Sequence, residues 1–219
     1  MLTYEGVQID WLGHDGFRLK AEVVVYLDPY KLTGSPEPAD LVCVSHEHFD
    51  HLSVDDLARV VTPATTVVTI PACEAAVRGL GPGAVRLVRP GDRLEAAGVS
   101  IEVVAAYNTT KFRAPGQHFH PAADGKVGFI LGLGGIRIYH AGDTDQIPEM
   151  AAAAGVDVAL LPVSGTYVMT ADEAAAACRA IAPKLAIPMH YGSIVGEAAD
   201  AERFRQQAGC RVEILTPAA

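Results

Sequence analysis

A chain of 219 residues, half of them apolar and a fifth charged, has the size of one full globular domain. It removes roughly 70 % of its extended surface from water on folding, so it needs no disulfide or metal merely to hold together. Its composition excludes disorder, collagen and coiled coil. With 17 basic against 26 acidic side chains the formal net charge is −9, which argues against a protein that coats nucleic acid or docks on anionic membranes.

In chain order, short β-branched runs predict strands over 23–27, 41–45 and 66–70, with helices over 53–60 and 71–79. Further strands are expected over 85–88, 101–105, 128–133 and 136–139. Gly132, Gly134 and Gly135 separate the last two, which reads as a hairpin because glycine supplies the positive φ of a tight turn. A helix over 147–155, a strand over 158–161, a helix over 170–182, a strand over 185–188 and a helix over 197–208 complete the series. The helix at 170 opens with Thr170-x-x-Glu173, a capping box. No repeat and no polar linker divides the chain, so a single α/β domain over residues 1–219 is expected.

The opening residues, MLTYEGVQIDWLGHDG, lack the basic start and apolar core of a secretory signal, and no apolar run approaches the roughly 18 residues that span a bilayer. A soluble cytoplasmic protein is expected. Cys43, Cys73, Cys178 and Cys210 form no C-x-x-C pair and read as scattered thiols of a reducing compartment.

The chemistry concentrates where the strand at 41–45 runs into His46-Glu47-His48-Phe49-Asp50-His51. Imidazole with carboxylate is the ligand set that borderline metals prefer. In an extended segment His46 and His48 project to one side, suiting a single ion, while the turn that follows can aim Asp50 and His51 at a second.

This H-x-H-x-D-H cluster after a buried strand resembles the metal-binding signature of the metallo-β-lactamase superfamily. Gly142-Asp143-Thr144 resembles the family's later strand-end aspartate, and Pro188-Met189-His190-Tyr191-Gly192 its last histidine. Trp11-Leu12-Gly13-His14, Asp28-Pro29 and Pro162-Val163-Ser164-Gly165-Thr166-Tyr167 look like the small hydrolases related to ascorbate-6-phosphate lactonases and N-acyl-phosphatidylethanolamine phospholipase D. The resemblance implies a four-layer αββα sandwich. It also implies that His46 and His48 hold one ion, that Asp50, His51 and His190 hold the other, and that Asp143 bridges the two. Asp28 would orient a ligand histidine through its second ring N–H.

One position departs from the pattern. Asn108 stands where the family places another histidine of the first site, and an amide oxygen is a weaker, neutral ligand. His118 and His120 in the loop that follows are candidates to compensate or to contact substrate, His120 ahead because Pro121 stiffens its setting. His14, in a Gly-His-Asp-Gly turn, is a further candidate for a substrate contact.

The resemblance implies a hydrolase that uses metal-activated water on an ester, lactone or phosphoester of a small molecule, with Asp50 or Asp143 accepting the water's proton. Lys111, Arg113 and Lys126 are candidate anchors for a substrate phosphate. The alternative is a catalytically impaired metal- or ligand-binding protein on the same fold, suggested by Asn108. The expected cofactor is one or two divalent ions per chain, zinc first and manganese second. A small-molecule substrate is expected and neither nucleic acid nor membrane, with a homo-oligomer left open.

Overall fold

The computed structural model describes residues 1–218. Two seven-stranded sheets carry the fold. The first runs in spatial order β1 (Leu2–Tyr4), β2 (Val7–Gly13), β3 (Gly16–Lys20), β4 (Val24–Leu27), β5 (Leu41–Val44), β6 (Thr66–Thr69) and β7 (Ala84–Leu87). Its pairings are antiparallel from β1 to β4 and parallel from β4 to β7. The second sheet runs β8 (Arg93–Ala96), β9 (Val99–Ala105), β12 (Val127–Leu133), β13 (Ile136–His140), β14 (Val158–Pro162), β15 (Leu185–Met189) and β16 (Arg211–Val212), antiparallel as far as β13 and parallel beyond. A small hairpin, β10 (Phe112–Ala114) and β11 (Gln117–His118), sits in the loop between β9 and β12.

Strands β4, β5, β14 and β15 are buried at every residue. Apolar runs without alternation have no face for water and must be covered on both sides. Helices α1 (Val54–Val60) and α2 (Glu74–Arg78) connect parallel strands of the first sheet. Helix α3 (Ala171–Ile181) packs on β14 and on α4 (Ala198–Gln207), which packs on β15. One apolar core runs through both sheets, from Val7 and Phe17 to Phe129 and Ile187. The layers are helix, sheet, sheet, helix, the αββα sandwich expected.

The Gly134–Gly135 hairpin is present, both glycines at positive φ (57° and 80°), and Thr170 and Glu173 form the capping box. Strands β1 to β3 lie outside the apolar runs read as strands. Glycines cut them short, and the cross-strand partners Asp10 and Arg18 interrupt their pattern with an ion pair of 2.7 Å. The helix expected over 147–155 is a 3₁₀ helix over Pro148–Ala153, and the one over 71–79 starts as a 3₁₀ turn over Pro71–Cys73 before α2. Both open on proline and close with i→i+3 bonds such as Ala154 N–H to the Ala151 carbonyl.

Candidate metal centre

The carboxyl ends of the parallel strands converge at one edge of the sandwich, where open α/β sheets place their ligands. Strand β4 ends on Asp28, β5 on the His46–His51 segment, β13 on Asp143, β14 on Ser164 and β15 on His190. The β2–β3 turn adds His14 and Asp15. His14, Asp28 and His190 all have positive φ, 51°, 40° and 59°, a conformation that costs a residue with a side chain about 1–3 kcal/mol and clusters at functional sites. The turn is tied to β15, because the His14 carbonyl accepts from the Trp11 indole (2.9 Å) and from the His190 N–H (3.0 Å).

Two clusters share Asp143. His46, His48, His120 and Asp143 form the first, with one ligand atom from each lying within 4.8 Å of the others. His46 Nε2 stands 3.0 Å from His48 Nδ1, which stands 3.3 Å from His120 Nε2. Asp143 Oδ2 completes the ring at 3.3 Å from His120 and 4.0 Å from His46. In the second cluster the other oxygen, Asp143 Oδ1, lies 3.4 Å from both His51 Nε2 and His190 Nε2. Asp50 Oδ2 approaches His51 Nε2 at 3.9 Å and bonds His14 Nε2 at 2.9 Å. Donors bonded at about 2.1 Å to one tetrahedral ion stand about 3.4 Å apart, so these spacings are those of coordination polyhedra.

The far nitrogen of four of these rings is held, so the near nitrogen of each faces the cluster. His51 Nδ1 donates to Asp28 Oδ2 (2.8 Å), His120 Nδ1 to Asn108 Oδ1 (3.0 Å), His46 Nδ1 to Ser45 Oγ (3.0 Å) and His190 Nδ1 to Ser164 Oγ (3.0 Å). The serine hydroxyls are free to accept because their own protons go elsewhere, Ser45 to Asp28 and Ser164 to the Thr166 carbonyl. A partner on the far N–H fixes ring and tautomer for metal binding. His51 Nε2, His190 Nε2, Asp143 Oδ1 and both oxygens of Asp15 are buried without a hydrogen-bond partner. Orphaned polar atoms are rare in a folded interior, and four of these, His51 Nε2, His190 Nε2, Asp143 Oδ1 and Asp15 Oδ2, meet in the second cluster. The donor set therefore fits two divalent ions.

Asn108 is not among the converging donors. Its Oδ1 is engaged by His120, ring and backbone N–H alike, and its Nδ2 donates to the Tyr167 carbonyl at 2.7 Å. His120 brings the third imidazole from a position twelve residues later. His118 lies apart, stacked on Phe112 at 4.3 Å with Nε2 on the Thr109 carbonyl. Two contributors escaped the sequence reading. Asp145 accepts from the Thr109 and Thr110 N–H groups, both at 2.7 Å, and pins the loop that carries His120. Asp15 faces the second cluster; only its place in the Gly-His-Asp-Gly turn beside His14 could have pointed to it. Gly142, at φ +63°, turns the chain so that Asp143 enters the centre, and a Cβ there would meet the Val127 carbonyl at 2.7 Å. Gly142→Ala is expected to cost at least about 1–2 kcal/mol from the backbone conformation alone and to lower metal content with it, checked by thermal melting and elemental analysis.

The clusters differ electrically. Burial holds His46 well below the usual histidine range and lowers His120 to about 4, so the first cluster offers neutral rings. Burial also opposes charge on His190 and His51, but Asp143 outweighs it with Asp15 and Asp28 respectively, holding His190 up at about 9 and His51 well above its ordinary value. An ion must displace a proton from a ring before binding it. Apoprotein loaded at pH 7 should therefore release protons when the second cluster fills and few when the first does. Affinity of the second should rise with pH towards about 9. Calorimetry in two buffers of different ionisation heat checks this.

Above the centre a cleft of about 580 Å³ is walled by Phe49, Phe119, Tyr167 and Ile194, with Arg113 beside them. Of the candidate anchors, Lys111 is paired with Glu173 (2.7 Å) and Lys126 is buried against Glu47. Arg113 is in no ion pair among the described residues.

A two-sheet αββα sandwich with histidines and aspartates gathered at the strand ends defines a metallo-β-lactamase-type protein. The family described as "Beta-lactamase superfamily domain" matches residues 8–190. The UPF0173 metal-dependent hydrolase of Thermoplasma acidophilum is 33 % identical, over 94 % of this chain and 92 % of that protein. A proposed metal-dependent hydrolase from Parabacteroides distasonis superposes with a TM-score of 0.79 at 30 % identity, over 95 % of this chain and 92 % of that one. The metallo hydrolase Igni18 of Ignicoccus hospitalis shares the fold, with a TM-score of 0.77 at 22 % identity over 97 % and 96 %. The chain belongs to the β-lactamase superfamily, within its UPF0173 metal-dependent hydrolases.

Proposed function

We propose that this chain hydrolyses an ester, lactone or phosphoester of a small molecule at a centre of two divalent ions. One ion is held by His46, His48 and His120, the other by Asp50, His51 and His190, with Asp143 between them. The observation that carries this reading is Asp143 itself, one carboxylate oxygen facing each histidine cluster. Bound divalent ions supply Lewis acidity and bring the pKa of water towards neutrality. Zinc suits the imidazole-rich first cluster, and manganese is the alternative.

The residues divide the remaining work. Asp50 borders the cleft, and the hydrogen bond from His14, against the opposing effect of burial, keeps its carboxyl below the usual range, so it is ionised and placed to take a proton. The apolar walls exclude water and hold the carbon skeleton of the substrate, and the cleft volume suits a small molecule. Arg113 meets an anionic group at the mouth. Arg113→Ala should raise KM for an anionic substrate about tenfold while leaving kcat and a neutral ester's KM nearly unchanged, read from steady-state kinetics. The impaired-binder reading loses its ground, since His120 supplies the imidazole that Asn108 lacks. Cys178 and Cys210, far apart in sequence, bring their Sγ atoms to 3.3 Å as free thiols, which suits the reducing interior of a cytoplasmic setting; no helix among the described residues is long and apolar enough to cross a membrane.

Elemental analysis of undialysed protein, with turnover of a nitrophenyl ester, a lactone and a phosphodiester, tests the proposal. Two ions per chain and chelator-sensitive turnover of one substrate class support it. Two ions with no turnover on any class would return the protein to a binding role.

A further inference from the structure

We infer that Asp15 is a ligand of the second ion and makes that site prefer a harder cation than the first. The inference rests on the two-ion reading above. Asp15 is fully buried and neither carboxylate oxygen has a hydrogen-bond partner. Carboxylates sealed from water are paired or coordinate metals. Its Oδ2 lies 3.4 Å from His51 Nε2 and 3.9 Å from His190 Nε2, matching the approach of Asp143 Oδ1 to the same two nitrogens. Asp15, His51, Asp143 and His190 each place one ligand atom within 4.8 Å of the rest.

The turn does not need this carboxylate. Its backbone is held by His140 Nε2 on the Asp15 carbonyl (2.9 Å) and by the bonds to the His14 carbonyl, so a serine would serve the turn as well. With Asp15 the second site gathers two carboxylates, Asp15 and the shared Asp143, around two imidazoles, while Asp50 meets the same imidazoles in a separate set with His14. The first site gathers three imidazoles around Asp143 alone. Carboxylate-rich sites suit manganese and other hard cations, imidazole-rich sites zinc. The rival role for Asp15 is a neutral acid that donates a hydrogen bond to Asp143.

Asp15→Asn separates the two roles, because the amide keeps a donor for Asp143 but offers only a weak neutral ligand. Apoprotein is given one equivalent of zinc and titrated with Mn(II), with free manganese read by electron paramagnetic resonance and total metal by mass spectrometry. The wild type should bind one manganese beside one zinc. Asp15→Asn should keep the zinc and bind manganese about tenfold or more weakly. Asp15→Ser, checked for folding by circular dichroism, should behave alike. Manganese affinity unchanged in both variants overturns the inference and leaves the two-ion reading standing. A wild type that takes up no second ion overturns both.

Discussion

Asp143→Ala is expected to reduce the purified protein from two ions per chain to at most one, and its hydrolytic turnover by about 10³-fold or more. Asp143 is the one side chain that both clusters share, Oδ2 facing His46 and His120 and Oδ1 facing His51 and His190. A single negative group between two divalent ions offsets their repulsion across about 3.5–4 Å, so its loss removes a ligand from each and that screening together. One group that stabilises charge at a reacting centre is already worth about 10²–10³ in rate. Folding should survive, because alanine is smaller and three of the cluster's imidazoles are held from outside it by Asp28, Ser164 and Asn108. Metal counting and steady-state turnover on the same preparation check the result. Retention of both ions and full turnover would end the two-ion reading.

The second expectation concerns the first cluster. His120→Ala should lose one ion and most of the turnover, while His118→Ala should keep both. Asn108→Ala should leave every ligand in place yet weaken the first ion about 10–100-fold, because the amide that holds Nδ1 of His120 is gone. Metal titration of the three apoproteins ranks them. Equal affinity in Asn108→Ala and wild type would show that the loop orders His120 without its amide partner.

Much of this centre is legible in the chain itself. His46, His48, Asp50 and His51 fall within six residues after a buried strand, so local geometry alone brings their side chains to one end of β5. The strand runs, the Gly134–Gly135 turn and the Thr170 capping box rest on neighbours close in sequence, and they stand in the fold as expected. Asp143 and His190 are separated from that cluster by about 90 and 140 residues, and only family resemblance joins them to it. Asn108 is the point at which the chain departs from the resemblance. It stands at the position of a family ligand, and its Oδ1 is engaged instead by the ring and the backbone N–H of His120.

From the loop's composition, Pro121 only puts His120 ahead of His118. The choice between them depends on the reciprocal bonds of Asn108 with His120 and on Asp145 gripping Thr109 and Thr110 from 35 to 36 residues away. Asp15 carries no such signal for a related reason, since an acid beside a glycine in a tight turn is ordinarily solvated. The sequence by itself determined the mixed α/β class and the metal-binding segment, because apolar periodicity and short-range ligand spacing act between near neighbours; the αββα layering was implied by the family resemblance. Only the tertiary structure decided which loop histidine completes the first cluster and that Asp15 lies sealed beside the second. Those outcomes depend on burial and on hydrogen bonds between segments far apart in the chain, whose geometry exists only once the two sheets have packed.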